Sequence, residues 1–437
     1  MSFLVGVLVL VVGLVVSIAL HEVGHLVPAK RFGVKVTEYF VGFGPTLWSR
    51  RRGETEYGVK AVPLGGYVRM VGMYPPARTD RPVRRRRDGR ATLVEEAREY
   101  ALAEVGPGEE HRAFSSLSVP KKLVVMLGGP VMNLLIAVVL LAVVLVGVGV
   151  PAYTATLGNV QECLPADPAA TECADTDPAA PGAVADLRPG DTVLSWGGRP
   201  VQGWDDVRAA IAASGPSPAT VVVERDGQER TVTVTPVMSE RPVVVDGEVR
   251  TDADGEPVTE PQPFVGIGPV AELVPQPVTA VPGRVAEAVG ATVGVVLTLP
   301  QRLVDVAQAA FGEEERDPGV VGLVGVGRFA GEIASIDSER YGVVERAADL
   351  LGLLASLNLA LFVFNLIPLL PLDGGHIAGA LWEGLRRRVA AWRGRPDPGP
   401  VDVARMLPLT YVVVVAMVSM SLLLAYADIV RPVTLTG

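Results

Sequence analysis

Two cysteines and four histidines are all that 437 residues contain of the strongest transition-metal ligands. A cysteine-built metal cluster is thereby excluded, since no histidine accompanies Cys163 and Cys173 nearby. A disulfide between the two would close a short loop in an oxidising compartment, and two free thiols are the alternative. No Gly-x-Ser-x-Gly occurs, which disfavours a serine nucleophile. The arginine clusters at 50–52 and 84–87 carry little aromatic interleaving, so nucleic-acid binding is unsupported. No internal repeat is evident, which disfavours a transporter built from duplicated halves. The first hydrophobic run lacks a basic leader and a small-residue cleavage site, so it is expected to be retained instead of cut as a signal peptide.

What is abundant is apolar surface: 49% of residues are hydrophobic and the mean hydropathy is +0.36. Four runs, at 3–29, 123–150, 350–370 and 406–427, approach or exceed the roughly 18–20 apolar residues that a spanning helix needs. A weaker stretch at 288–299 is shorter and interrupted, and reads as an interfacial helix. Lysine and arginine concentrate in 30–122 and 386–405, which predicts a cytoplasmic location for both loops. The acidic segment 151–349 then lies outside, together with both termini.

His21-Glu22-Val23-Gly24-His25 closes the first run. On a helix the histidines, four apart, share one face and can hold one ion, while Glu22 beside them can exchange a proton with water. Ionisable groups at membrane depth are costly and usually serve a purpose. Catalytic zinc takes three protein ligands, so another is needed. Asp373 ends the third run, which crosses in the same direction as the first, and so reaches the same depth. Taken alone, Asp373-Gly374 after prolines is an ordinary turn. His376 is a rival third ligand, placed farther along beyond two glycines.

The chain resembles the site-2 proteases, intramembrane zinc metalloproteases. The resemblance rests on the His-Glu-x-x-His, on Asn365-x-x-Pro368 with Leu372-Asp373-Gly374, and on Gly129-Pro130-Val131-Met132-Asn133. It implies one Zn2+ held by His21, His25 and Asp373, with Glu22 as catalytic acid/base. It is closest in arrangement to the four-span bacterial branch with a PDZ insert, including actinobacterial enzymes of anti-sigma-factor cascades. Helical substrates must unwind to expose their amides. Asn358 and Asn365, on nearly one face, and Pro368 are expected to handle substrate, as is Asn133, for which interhelical bonding is the alternative. Alternation at 36–73 predicts hairpins, with strands at 37–41 and 67–70, resembling the family's membrane-dipping β loop. An exposed edge there could take an unwound substrate by strand addition. The stretch 182–237 resembles one PDZ domain, able to bind peptide or to act as a steric filter.

The expected fold is a polytopic α-helical membrane protein with four transmembrane helices, a membrane-associated β-hairpin region and an extracytoplasmic α+β PDZ domain. The expected boundaries are 1–29 for the first span, 30–122 for the cytoplasmic loop, with hairpins at 36–73 and a charged linker at 78–110, and 123–150 for the second span. There follow 151–275 for the PDZ segment, 276–349 for an amphipathic connector, 350–373 for the third span, 374–405 for a basic loop, 406–427 for the fourth span and 428–437 for the tail. Single-pass transmembrane proteins such as anti-sigma factors are the expected substrates, the plasma membrane is the expected location, and a peptide or adaptor at the PDZ groove is a further expected partner. A non-enzymatic adaptor with a structural zinc is the competing function, which the intact Glu22 argues against.

Overall fold

In lipid an unpaired backbone amide has no water to turn to, so long apolar runs become helices. The computed structural model describes residues 2–76, 91–164, 173–174, 177–245, 248–251, 258–312, 316, 319–336 and 341–434. The arginines at 84–87 and parts of the expected linker at 78–110 lie outside these. The first elements are α1 (Ser2–Arg31), β1 (Val36–Arg52), β2 (Thr55–Met70), α2 (Leu93–Ala103), α3 (Val119–Ala142) and β3 (Val150–Val160). Next come α4 (Pro181–Val184), β4 (Thr192–Trp196), β5 (Arg199–Pro200), α5 (Trp204–Ser214), β6 (Ala219–Arg225), β7 (Gln228–Val234) and β8 (Val237–Pro242). The rest are β9 (Val244–Val245), β10 (Glu248–Val249), β11 (Thr259–Phe264), β12 (Ile267–Val274), α6 (Val281–Phe311), α7 (Leu323–Ser335), α8 (Val343–Asn365), α9 (Asp373–Trp392) and α10 (Leu407–Val430). They form two compact units, Gly149–Gln276 and the remainder.

The smaller unit is built on an antiparallel sheet ordered β12-β3-β4-β6-β7, with β5 paired to β4. Alternation along β6 buries Val221 and Val223 against Trp196, Leu157 and Val207 of α5. Burying Asp191 is tolerable because Arg225 grips both its oxygens, at 2.6 and 2.8 Å, and the Arg188 amide donates a third bond. Cys163 and Cys173 are joined as a disulfide.

The larger unit holds the helices. Among the described residues five stretches, where four spans were expected, are long and apolar enough by length and composition to cross a membrane: Ser2–Arg31, Val119–Val148, Val278–Phe311, Val343–Asn365 and Val403–Val430. The extra one contains the stretch read as interfacial, because its charges at Arg284, Glu287, Arg302 and Asp305 leave apolar length between them. Its second half packs on the end of α10, where Val306 and Ala310 meet Leu424 and Ala427, and Phe311 stacks on Tyr426. Asp428 of α10 accepts from the amides of Gly322 and Gly325 at the start of α7 and pairs with Arg316 at 2.6 Å.

Two expected boundaries shift. The helix expected at 350–370 is Val343–Asn365, since Pro368 and Pro371 cannot continue a helix. The expected basic loop at 374–405 instead opens with the 20-residue helix α9, whose first residue is Asp373. A carboxylate there is favoured by the helix dipole. Gly374 and Gly375 do not break this helix. They let it fold tightly back on the prolines, because a methyl at Gly374 would stand 2.1 Å from the Ile367 carbonyl.

The expected strands at 37–41 and 67–70 are the outer ends of much longer ones. Residues of β1 such as Tyr39 pair with both Val68 and Tyr57, so each strand bends and pairs twice. Phe43, Leu47 and Trp48 near the bend are exposed. Tyr39 ties the region to α1 by donating to the Ala19 carbonyl at 2.8 Å.

Candidate metal centre and active site

Helical spacing puts His21 and His25 on one face of α1. That face meets α3 at a glycine crossing: a methyl at Gly24 would be 2.2 Å from the Gly128 carbonyl oxygen, and one at Gly128 would be 1.9 Å from that of Gly24. Small residues let two apolar helices approach backbone to backbone. One residue on, Gly129 lies beneath the imidazoles, where a methyl would come within 2.2 Å of His25 Nε2 and 2.6 Å of His21 Nε2. The space that this glycine leaves open is where an ion bound to both rings would sit.

Asp373 arrives at the same spot from α9. Its Oδ2 is 3.4 Å from His21 Nε2 and 3.3 Å from His25 Nε2, and the two nitrogens are 3.2 Å apart. Three ligand atoms on a zinc ion with bonds of about 2.0–2.1 Å and tetrahedral angles stand roughly 3.3–3.4 Å from one another. The observed triangle has that size, and these three residues are the metal-ligand cluster among the described residues. His25 Nδ1 lies 2.8 Å from the Val125 carbonyl. Because a carbonyl only accepts, Nδ1 carries the proton and Nε2 keeps its lone pair for a metal. His21 Nδ1 is buried with no hydrogen-bond partner among the described residues.

Glu22 is buried beside the triangle. The β2 backbone passes against it, so that a methyl at Gly66 would be 2.9 Å from Glu22 Cγ. His376 is not in the ligand cluster; it lines a small cavity with Lys122 and Glu383. Those two form a buried ion pair at 2.9 Å between α3 and α9.

The residues expected to handle substrate differ in their surroundings. Asn358 is fully buried and donates to Ser17 Oγ at 3.0 Å and to the Leu354 carbonyl. Asn365 is half-buried and donates to the Leu361 carbonyl. Asn133 is fully buried, and neither amide atom has a partner among the described residues. Pro368 is exposed between α8 and α9. The glycine crossing, the Lys122–Glu383 pair and the Val125 carbonyl were not singled out from sequence; only the run Gly128-Gly129 beside Pro130 hinted at close packing.

A carboxylate and two imidazoles converging among apolar helices, with a further buried acid beside them, define a metal-dependent hydrolase set in a membrane bundle. Comparison with known proteins agrees: the sequence model for peptidase family M50 matches residues 9–395. The chain is 36% identical over 445 residues to zinc metalloprotease Rip1 of Mycobacterium tuberculosis, covering all of both chains. It is 31% identical over 450 residues to zinc metalloprotease Rip1 of Mycolicibacterium smegmatis, again over all of both. To metalloprotease MmpA of Caulobacter vibrioides it is 27% identical over 402 residues, covering 88% of this chain and 89% of the relative. The chain belongs to peptidase family M50, the site-2 proteases. It is a zinc-dependent intramembrane metalloprotease and a multi-pass membrane protein.

Proposed function

We propose that His21, His25 and Asp373 hold the catalytic zinc and that Glu22 is the acid/base. The observation that carries this reading is the triangle of ligand atoms, 3.2–3.4 Å on a side. Bound there, zinc supplies a Lewis acid that polarises the scissile carbonyl and acidifies water. Glu22 accepts a proton from water and delivers it to the leaving amine. Its burial keeps bulk solvent from that exchange.

The substrate is a transmembrane helix that must be unwound before its amides are accessible. Residues 67–70 of β2 pair with β1 along one edge, and no described strand covers the other. With Gly66 against Glu22, that open edge leads to the acid/base, which favours strand addition as the way an unwound segment is held. Asn365, the last residue of α8, and the exposed Pro368 just beyond it are assigned to substrate handling. Asn358 fixes α8 against α1 through its Nδ2 bond to Ser17, while its buried Oδ1 has no partner among the described residues and stays open to substrate or water. Asn133 keeps free amide atoms for substrate or for a bridging water.

Four spans cross and α6 lies along the outer surface in this reading. Its far end meets the last turns of α10, on the face where that span ends. The termini and the segment 151–275 are outside, and the metal centre is near the cytoplasmic side. The sheet of β3, β4, β6, β7 and β12 with α5 serves as a single PDZ domain that filters substrates or binds a peptide or adaptor. The reaction is the second cut of regulated intramembrane proteolysis in the plasma membrane, on single-pass substrates such as anti-sigma factors.

The test pairs metal analysis with cleavage of a model transmembrane substrate in reconstituted membranes. Glu22→Gln is expected to retain zinc and lose turnover by at least about a hundredfold. Asp373→Ala is expected to lose both zinc and turnover. Full metal content in Asp373→Ala rejects the ligand assignment, and undiminished turnover in Glu22→Gln rejects the acid/base.

A further inference from the structure

The inner face of α9 is consumed by the bundle. Glu383 pairs with Lys122, a methyl at Gly384 would sit 3.2 Å from Val119 at the start of α3, and Ile377 packs beneath α1 and α3. The opposite face has no such partner among the described residues. Leu381 is 56% exposed, Trp382 56%, Leu385 52%, Val389 36% and Trp392 84%. At about 100° per residue these five fall within roughly 100° of arc, a stripe unlike the polar outer face of an ordinary soluble helix.

Arginines border that stripe. On the same projection Arg388 falls on one side and Arg386 and Arg393 on the other, with Arg395 just beyond the helix. Arg387 is already engaged by Glu383 and Asp397. Arg388, Arg393 and Arg395 are exposed and enter no ion pair among the described residues. The stripe and the turn after the helix enclose a groove of about 440 Å³, lined by Trp382, Arg386, Val389, Arg393, Arg395 and Asp397. Its one acid, Asp397, faces Arg387 at 3.5 Å.

The depth of this surface follows from the chain. Asp373 is level with the histidines, and ten residues later Glu383 and Gly384 are level with the first turn of α3, where a membrane-length helix begins. Eight more residues carry the helix about 12 Å farther, through the polar border of a bilayer. Exposed tryptophans ringed by arginines suit that border, where indole sits among headgroups and guanidinium binds phosphate.

We propose that the outer face of α9, from Leu381 to Arg395, binds the headgroups of anionic phospholipids at the membrane border. The charge is complementary, the site is continuous with the spans, and the groove offers an apolar wall for glycerol and acyl carbons beneath guanidinium groups. Because α9 begins at Asp373, headgroup binding at its far end also braces the helix that delivers this carboxylate.

The experiment uses the full chain in nanodiscs of phosphatidylcholine alone or of phosphatidylcholine with phosphatidylglycerol, read by backbone hydrogen exchange over residues 386–395. Phosphatidylglycerol is expected to slow exchange there at least tenfold, an effect that raised salt weakens. Arg388→Gln/Arg393→Gln/Arg395→Gln is expected to abolish that slowing while zinc content and exchange around Lys122 stay as in the parent chain, which shows the bundle intact. Equal exchange in both lipids overturns the proposal, as does an unchanged lipid response in the triple variant. Slowing by glycerol phosphate or by an acidic peptide in phosphatidylcholine nanodiscs, to the same extent as by the lipid, also overturns it.

Discussion

Replacing Gly129 by alanine exchanges one hydrogen for a methyl group at the point where α3 faces the imidazoles. The new methyl would stand 2.2 Å from His25 Nε2 and 2.6 Å from His21 Nε2. Non-bonded contact needs about 3.5 Å, so one or both rings must retreat by roughly 1 Å. The methyl also occupies the distance of about 2.0–2.1 Å at which zinc binds nitrogen. The adjoining Gly24–Gly128 contact of backbone on backbone leaves α3 little room to back away. Displacement of catalytic groups by about 1 Å commonly costs a hundredfold, and altered support of a metal ligand costs about 10–100-fold in affinity. Gly129→Ala should therefore weaken zinc binding by about a hundredfold, measured by competition with a chromogenic chelator, and cleavage should fall in proportion. Gly147→Ala in the π-helical turns that continue α3 (Val143–Val148), where a methyl meets no atom within 4 Å, is the control and should bind zinc as the parent does. If Gly129→Ala binds zinc within threefold of the parent, the ion does not sit between these two nitrogens and the reasoning is wrong.

Two further outcomes follow from charges outside the metal centre. Lys122→Met should destabilise the bundle by about 3–5 kcal/mol in a denaturant titration, because it leaves Glu383 buried with only Arg387 and the Val401 amide for company. Lys122→Met/Glu383→Met should recover most of that loss, and a double variant no better than the single one would show that the pair is not what matters. In the loop after α1, hydrogen bonding from Lys35, at 2.6 Å, and then Arg112 hold the Glu109 carboxyl below its usual range. A carboxylate with a lowered folded-state pKa stabilises the fold above its ordinary value near 4.5 and loses that contribution as pH falls through the folded value. Hydrogen exchange around Lys35 and Arg112 should therefore accelerate as pH falls below the ordinary carboxyl value of 4.5, and Glu109→Gln should flatten that dependence; an equal pH response in the variant would refute it.

The pattern on α1 was legible because it is periodic: histidines four apart share one face of a helix, with Glu22 beside them. Asp373 was expected at their depth as the end of a span; the structure brings it there as the first residue of α9, its Oδ2 3.4 and 3.3 Å from the two imidazoles. Helix α9 was hidden because Pro368, Pro371, Gly374 and Gly375 are residues that usually stop helices. Here the prolines precede the helix, and the glycines serve the close approach to Ile367 and Leu370, which is a tertiary reason that no local pattern carries. The roles of Gly24, Gly128 and Gly129 depend on which helix crosses α1 at that height, a long-range fact absent from spacing. Asn358 shows the reverse: its seven-residue spacing from Asn365 is visible in the sequence, but the hydrogen bond from its Nδ2 to Ser17 on another helix is a long-range contact that spacing does not carry. For α6, length and composition allow a crossing, while its packing on the end of α10 is a tertiary fact that composition does not carry.

The claim on which the account rests is that His21, His25 and Asp373 share a single zinc ion, and X-ray absorption at the zinc edge on the full chain addresses it most directly. The account predicts one zinc per chain with only nitrogen and oxygen neighbours at about 2.0–2.1 Å, a multiple-scattering signature of two imidazoles, and loss of one imidazole in His25→Ala. A sulfur neighbour, a third imidazole contributed by His376, or a spectrum unchanged in His25→Ala would contradict it.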